Sequence, residues 1–370
     1  KSAEYENCVI PGGSIICQLP TNNNYKHEKT DYSKEALNIL NKLIDLDPDN
    51  LKSKWLLNVA HMNLGSYPDG IDRNLLIDIS KSMNAYNEKE FKDISIDLGI
   101  YNVDLAGGVI FDDFNNDGFA DIVSSTWNPC SSMKFYLNKG VDGFVEITEE
   151  SGLHNQLGGL NIVSTDYNND GYLDIYIMRG GWLSNEGEMI NTLLRNNKDM
   201  TFTDVTEESG LSNYAYPSQS SAWGDYDNDG DLDLFLVNQR PVYDMTYKGG
   251  VVKSKLYKNN SIDNNNWLKV KLKGKLATTR GLGARVTLFL PELQMIREVD
   301  GGSSHASQNS SIIHFGLGQN QKIDSLRVTW PGGKTQSIKN LNANVLIQIE
   351  EALTEQTSLF QKLINYFNNY

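Results

Sequence analysis

Three stretches of this chain align with one another without gaps: FKDISIDLGI at 91–100, FVEITEESGL at 144–153 and FTDVTEESGL at 202–211, spaced by 53 and then 58 residues. Each is followed by an acidic nonapeptide: DFNNDGFAD (113–121), DYNNDGYLD (166–174) and DYDNDGDLD (225–233). Strand-forming runs come next, first IVSST, IYIM and LFLV, then FYLN, LLRN and KLYKN. A repeat of this length holding about four short strands predicts β-propeller blades, because one blade cannot bury its own faces and must stack on neighbours. Three units fall short of the roughly four to eight blades of a closed propeller. Closure therefore calls for strands from elsewhere in the chain, an open ring, or assembly of several chains.

Every nonapeptide reads D-x-[DN]-x-D-G-x-x-D. Hard cations such as Ca²⁺ take roughly six to eight oxygens, and alternate residues of a tight loop can supply them. Side chains at the first, third, fifth and ninth positions and the backbone carbonyl at the seventh make the expected ligand set. In the first loop these are Asp113, Asn115, Asp117, the Phe119 carbonyl and Asp121. The second uses Asp166, Asn168, Asp170, the Tyr172 carbonyl and Asp174, and the third Asp225, Asp227, Asp229, the Asp231 carbonyl and Asp233. Gly118, Gly171 and Gly230 stand where the chain must turn sharply, a place for a residue that tolerates positive φ. These are not EF-hands, since the twelfth position holds Ser124, Ile177 and Leu236 in place of a bidentate Glu.

Asp-Asn-Gly segments also occur as ordinary turns, but three in register favour an ion. Two carboxylates about 5 Å apart repel by roughly 3 kcal/mol at an effective dielectric near 20. About three Ca²⁺ ions are expected, in a structural role, and the third loop, with four acidic side-chain ligands against three in the others, is expected to bind tightest. Sites of low-micromolar or weaker affinity fill where calcium is millimolar, which points to a secreted, periplasmic or cell-surface protein.

Outside the repeats the chain divides into an N-terminal loop and helical segment (1–90), the repeats (91–262), a β domain (263–352) and a terminal helix (353–370). In the first segment Ala36, Leu37, Leu40, Leu43 and Ile44 recur at helical spacing, then Leu51, Trp55, Leu56, Val59, Ala60 and Leu64. The pair resembles one tetratricopeptide unit and is expected to cap the next domain. From Trp267 onward, alternating runs between Gly-rich turns predict a small antiparallel sandwich or barrel. Cys8 and Cys17 are close enough in sequence to close a short loop, which would leave Cys130 as a buried thiol. The chain begins at Lys1, as after removal of a leader or in a trimmed sequence. A net charge of −14 argues against a nucleic-acid partner, and no apolar run reaches transmembrane length.

The repeats resemble FG-GAP/VCBS units, and residues 267–351 resemble the ASPIC/UnbV domain through NWLKVKLKG, GLGARVTL, REVDGGSSHASQ, HFGLG and VTWPGGKTQ. The order of parts is similar to the cartilage acidic protein family, whose bacterial members often carry a tetratricopeptide-like segment first. That resemblance implies a mainly β fold, integrin-α-like blades, calcium binding and an extracellular or envelope setting, usually with no assigned reaction.

PGGKT at 331–335 lacks the earlier glycine and following helix of a phosphate loop and reads as a hairpin turn. Asp300, Ser303 and His305 match no nucleophile elbow, and the five histidines form no zinc-binding pair. Trp127, Arg179, Trp182, Arg195, Trp223 and Arg240 fall at or after repeat strand ends. They line a ligand pocket if the blade ends converge, and otherwise serve blade packing and the surface. The leading expectation is a calcium-stabilised extracytoplasmic interaction module for a protein, glycan or small-molecule ligand, compatible with oligomers. The alternative is a calcium-dependent, non-redox enzyme of cyclase or alkylating type acting in the propeller cavity.

Overall fold

A computed structural model of the chain describes residues 30–79, 91–100, 102, 104–181, 183, 187–238, 253–260, 264–302, 305 and 307–352. Two compact units divide it, residues 1–92 and 93–370. Cys8, Cys17 and the expected terminal helix lie outside the described residues.

In the first unit helices α1 (Asp31–Leu46) and α2 (Leu51–Leu64) pack through Leu40, Ile44 and Leu57, with Ile71 completing the cluster. Asn50 caps α2 by accepting from the Ser53 N–H at 3.0 Å, and Gly65 ends it in the left-handed region. The buried face of α2 differs from the expected one: Ser53, Leu57, Asn58, Ala60 and Met62 face inward, while Leu51, Trp55 and Leu56 are exposed. Apolar residues surround this helix, so spacing alone does not choose the face. Asn58 does: its amide donates to the Leu75 carbonyl and its oxygen accepts from the Ile77 N–H, both at 2.8–2.9 Å, fastening the following segment to that side. Among the described residues no helix is long and apolar enough to cross a membrane.

The second unit is mainly β and, among the described residues, contains five sheets in a propeller arrangement. Blade one is β1 (Val109–Asp112), β2 (Asp121–Ser124), β3 (Lys134–Asn138) and β4 (Phe144–Glu146), a four-stranded meander. Blade two repeats it with β5 (Asn161–Thr165), β6 (Asp174–Met178), β7 (Thr192–Asn196) and β8 (Phe202–Asp204). Blade three has, among the described residues, three strands, β9 (Ser218–Gly224), β10 (Asp233–Asn238) and β11 (Lys255–Tyr257).

The sequence repeat is thus out of phase with the blade. FVEITEESGL opens with β4 and FTDVTEESGL with β8, the outermost strand of the preceding blade, and the inner three strands of the next blade follow. Phe91–Asp93, aligned with β4 and β8, forms no strand, because no described sheet precedes it to pair with.

Two further sheets come from the C-terminal part: β12 (Asn266–Lys273), β15 (Ile313–Gly318) and β18 (Val345–Glu350) in one, and β13 (Arg285–Phe289), β14 (Gln294–Glu298), β16 (Lys322–Thr329) and β17 (Thr335–Asn342) in the other. They share one apolar core, with Leu268, Val286, Leu288, Phe315, Leu326 and Trp330 fully buried. The sandwich is not wholly antiparallel, since β12 and β18 run parallel. PGGKT forms the turn between β16 and β17, where Thr329 pairs with Thr335.

The ring question raised by three repeats is answered by these two sheets. β1, β5, Trp223 of β9, β14 and β15 all line one central cavity of about 760 Å³. Between blades, alternation divides the labour. On β6 Ile175 and Ile177 enter the core shared with blade one, while Tyr176 and Met178 enter the core shared with blade three. That is why every residue of β6 is buried. Cys130 is exposed rather than buried, because it sits on the turn between β2 and β3, where its N–H donates to Asn128 Oδ1.

Candidate functional site

The acidic nonapeptides join the first two strands of each repeat blade. In all three, the ninth residue opens the second strand and pairs across it with the residue before the loop: Asp121 with Asp112, Asp174 with Thr165, Asp233 with Gly224. The hairpin register therefore brings the two ends of each loop together. The sixth residues Gly118, Gly171 and Gly230 have φ of 96°, 92° and 102°, as expected from the pattern. The fourth residues Asn116, Asn169 and Asn228 are also left-handed, at 59°, 58° and 62°. Asn is the side chain that best tolerates that region, so its presence at the fourth position of all three loops was a readable signal that went unused.

Asp113 Oδ1 and Oδ2 accept from the N–H groups of Asp117 and Gly118 at 3.1 and 2.9 Å, and Asp166 accepts from Asp170 and Gly171 at 3.0 Å each. Asp225 Oδ2 accepts from Gly230 at 3.0 Å. Fifth-position Asp117, Asp170 and Asp229 accept from the seventh N–H at 2.9–3.1 Å. Ninth-position Asp121 and Asp174 bridge the loop to the third strand, and Asp233 to Asn259 just past it. Asp174, for example, takes the Tyr167 and Asn196 N–H groups at 3.3 and 2.8 Å. The backbone thus fixes the first- and fifth-position side chains in the same way in all three loops.

Burial makes the carboxylates costly. It pushes Asp121 and Asp166 up to about 7, and raises Asp113, Asp174 and Asp233. Asp231 rises to about 6, first from burial and then from the charges of Asp229, Asp225 and Asp233. One carboxylate oxygen of each of Asp225, Asp227 and Asp229 lies within 4.8 Å of the others. Asp225 Oδ1 is buried with no hydrogen-bond partner, an acceptor that a cation would satisfy. The donor set, all hard oxygen, fits Ca²⁺.

Lysines also reach these loops. Lys258 pairs with Asp227 and, at 3.1 Å, with Asp229; buried Lys269 reaches Asp225 at 2.5 Å; Lys198 lies 3.3 Å from Asp170. None of the three belongs to the nonapeptide pattern, so the pattern could not reveal them.

The loops are joined to one another and to the C-terminal sheets. Asn116 donates to the Gly171 carbonyl, and Asn169 to the Gly230 carbonyl and the Asp231 carboxylate, at 2.8–3.2 Å. The Gly316 N–H donates to Asp166 Oδ2 at 3.1 Å. A Cβ at Gly316 would collide with that carboxylate and with the Asn169 backbone, so only glycine permits the approach.

Of the six arginines and tryptophans expected to line a pocket, the four that are described are not brought together. Trp223 lines the central cavity. Arg179 is buried, with its guanidinium donating to Leu157 and Ile190 carbonyls, Gln156 Oε1 and Thr192 Oγ1, which ties blade two together. Arg195 pairs at the surface with Glu208. Trp127 is half-buried and does not line the cavity, while Trp182 and Arg240 lie outside the described residues.

A family profile described as FG-GAP-like repeat matches residues 113–177 and 182–236, and one described as ASPIC and UnbV matches 274–356. Curated relatives include cartilage acidic protein 1 of Xenopus tropicalis, 27% identical over 289 residues that make up 73% of this chain and 41% of that protein. The protein of the same name from Homo sapiens is 26% identical over 270 residues, 71% of this chain and 38% of its own length. The chain thus spans about two fifths of the length of these relatives.

Proposed function

From the premise that this chain combines FG-GAP repeats with an ASPIC/UnbV domain and is homologous to cartilage acidic protein 1, we propose that it is a calcium-loaded extracytoplasmic interaction module. The observation that carries the calcium reading is the third loop, where three carboxylates converge around a buried, unpartnered Asp225 oxygen. The same backbone geometry recurs in the other two loops. When bound, the ion supplies positive charge that lets buried carboxylates remain ionised. The residues expected to hold it are those of the first, third, fifth and ninth positions with the seventh carbonyl.

The ion's role is structural. The loops lie between blades and against the C-terminal sheets, so filling them ties blade to blade and repeat to ASPIC/UnbV domain. Millimolar calcium outside the cytosol is where such sites fill, which supports a secreted, periplasmic or cell-surface location. The surface so stabilised would serve a protein, glycan or small-molecule partner.

Native mass spectrometry tests the reading directly. About 120 Da of mass removable by EGTA, less the protons displaced by three ions, is the expected result. If no such mass appears even after calcium is added back, the loops are turns and the proposal fails.

The lysines revise the ranking drawn from carboxylate counting. With Lys258 on two of its carboxylates and Lys269 on a third, the third loop binds more weakly than the first, which has no lysine in ion-pair reach among the described residues. Lys258 is half exposed and must swing aside for the ion, whereas Lys269 is fixed. Lys258→Ala is therefore expected to raise calcium affinity at the third loop by roughly three- to tenfold, the worth of one or two partly exposed ion pairs. Calcium titration calorimetry of the variant against the parent reads this.

A further inference from the structure

The central cavity is a separate feature from the calcium loops, although it touches their inner ends. Its volume of about 760 Å³ falls within the roughly 300–1,000 Å³ of small-molecule sites. Its polar groups are unusual in being buried and unfinished. Arg297 of β14 is only 9% exposed; its Nη1 donates to the Ile296 carbonyl at 2.9 Å, but Nη2 has no partner. No carboxylate among the described residues lies within ion-pair distance of it. Trp223 Nε1 and Thr165 Oγ1, on side chains also more than nine-tenths buried, are likewise unpartnered. An unsatisfied buried donor costs about 1–3 kcal/mol, more if charged, so the guanidinium and indole N–H groups, with a hydroxyl able to donate beside them, favour something that accepts from them.

The acids near the cavity are already engaged. Asp112 bonds to Ser164 Oγ at 2.5 Å, Glu298 pairs with Arg285 at 2.6 Å, Asp113 and Asp166 accept from their own loop amides, and Asp300, also in the lining, accepts from the Gly302 N–H. The remaining unpartnered atom is His314 Nδ1. Asn169 turns its amide nitrogen to Gly230 and Asp231, so its oxygen faces His314 Nε2 at 2.6 Å. Nε2 therefore carries the hydrogen and Nδ1 a lone pair. The unpartnered groups are two donors, a hydroxyl that can donate or accept, and one acceptor.

The rest of the wall is apolar. Val109 and Phe111 of β1 line the cavity yet remain about 65% exposed, with Ile296 also in the lining. Large side chains turned into an open space, next to a buried guanidinium, form a two-part site.

We propose that the central cavity binds a small organic anion, a carboxylate on an apolar body, with Arg297 and Trp223 holding the carboxylate and Phe111 and Ile296 flanking the body. Nothing in this assignment needs calcium to be the ion in the loops. The buried guanidinium confers the preference for charge, since charge-assisted bonds are about twice as strong as neutral ones.

The test compares three probes of one shape by titration calorimetry and ligand-observed NMR: phenylacetate, its neutral isostere phenylacetamide, and the cation phenethylamine. Phenylacetate is expected to bind at least tenfold more tightly than either of the others. Arg297→Met is expected to lose at least tenfold for the acid while leaving the amide unchanged, and Trp223→Phe to lose about tenfold for the acid, the worth of one hydrogen bond to a charged group. Circular dichroism and melting of each variant establish folding; if Arg297→Met does not fold, Trp223→Phe carries the test. The proposal is overturned if phenylacetate shows no binding at millimolar concentration, if acid and amide bind alike, if phenethylamine binds best, or if the folded variants bind the acid as the parent does.

Discussion

Chelating calcium is expected to lower the melting temperature of the repeat-bearing unit by on the order of 15 °C. Three sites held at about 100 times their dissociation constant contribute about 2.7 kcal/mol each. A unit of this size moves by roughly 2 °C or more per kcal/mol. Calorimetry in excess calcium and in excess EGTA measures the difference. A gap of a degree or two would mean that the loops hold themselves together without the ion.

The gap should also depend on pH, with a definite sign. Burial holds Asp121 and Asp166 near 7 in the folded state against an ordinary value of 3.8. A carboxyl raised on folding binds its proton more tightly in the native state. Its favourable contribution is complete below about pH 4, the unfolded value, and is lost as pH climbs through about 7. The calcium-free protein should therefore weaken from pH 5 to pH 8. Calcium requires the ionised form, so its affinity rises over the same interval. Melting curves at several pH values, with and without EGTA, should diverge as pH increases.

The second large effect is Asp174→Asn. Asp174 is fully buried, its pKa pushed well above the ordinary range by burial and by Asp166. Without calcium an amide mimics the protonated acid: its oxygen still accepts from one of the Tyr167 and Asn196 N–H groups, and the other is opposed in both cases. In EGTA the variant should melt within about 2 °C of the parent, a difference on the order of 1 kcal/mol. With calcium it should fall about 3–5 kcal/mol short, the range for leaving a buried charge centre without its partner. Equal destabilisation in both conditions would make Asp174 a purely structural acceptor and remove it from the ligand set.

Much of this was readable beforehand because it is local. Gapless repeats, alternation within each strand and the sixth-position glycines are properties of neighbouring residues, and blades one to three follow from them. Ring closure was not readable: β14 and β15 approach β1 and β9 only through the tertiary packing of sheets far apart in the chain. The same holds for charge. Lys258 and Lys269 stand 25 or more residues beyond the third loop, so counting carboxylates within nine residues overstated its net charge. Arg297 looks in the sequence like any charge in an alternating strand; only its burial and its unpartnered Nη2 distinguish it from Arg285, which is exposed and paired with Glu298. Trp55 and Leu56 misled for the opposite reason, since a helix apolar on several sides gives no preferred face until Asn58 is anchored.

The phase shift between repeat and blade bears on how such a ring changes size. Each repeat lends its first strand backward and takes its own last strand from the repeat ahead, as β4 and β8 do. A tandem duplication of residues 144–201 would insert a copy whose opening strand closes blade two, while its other strands form a new blade closed in turn by Phe202–Asp204. Every sheet stays complete through the event, and no naked strand edge is exposed. Unequal recombination at these junctions can thus lengthen or shorten the ring in whole-blade steps, with each intermediate gene encoding a fully paired product.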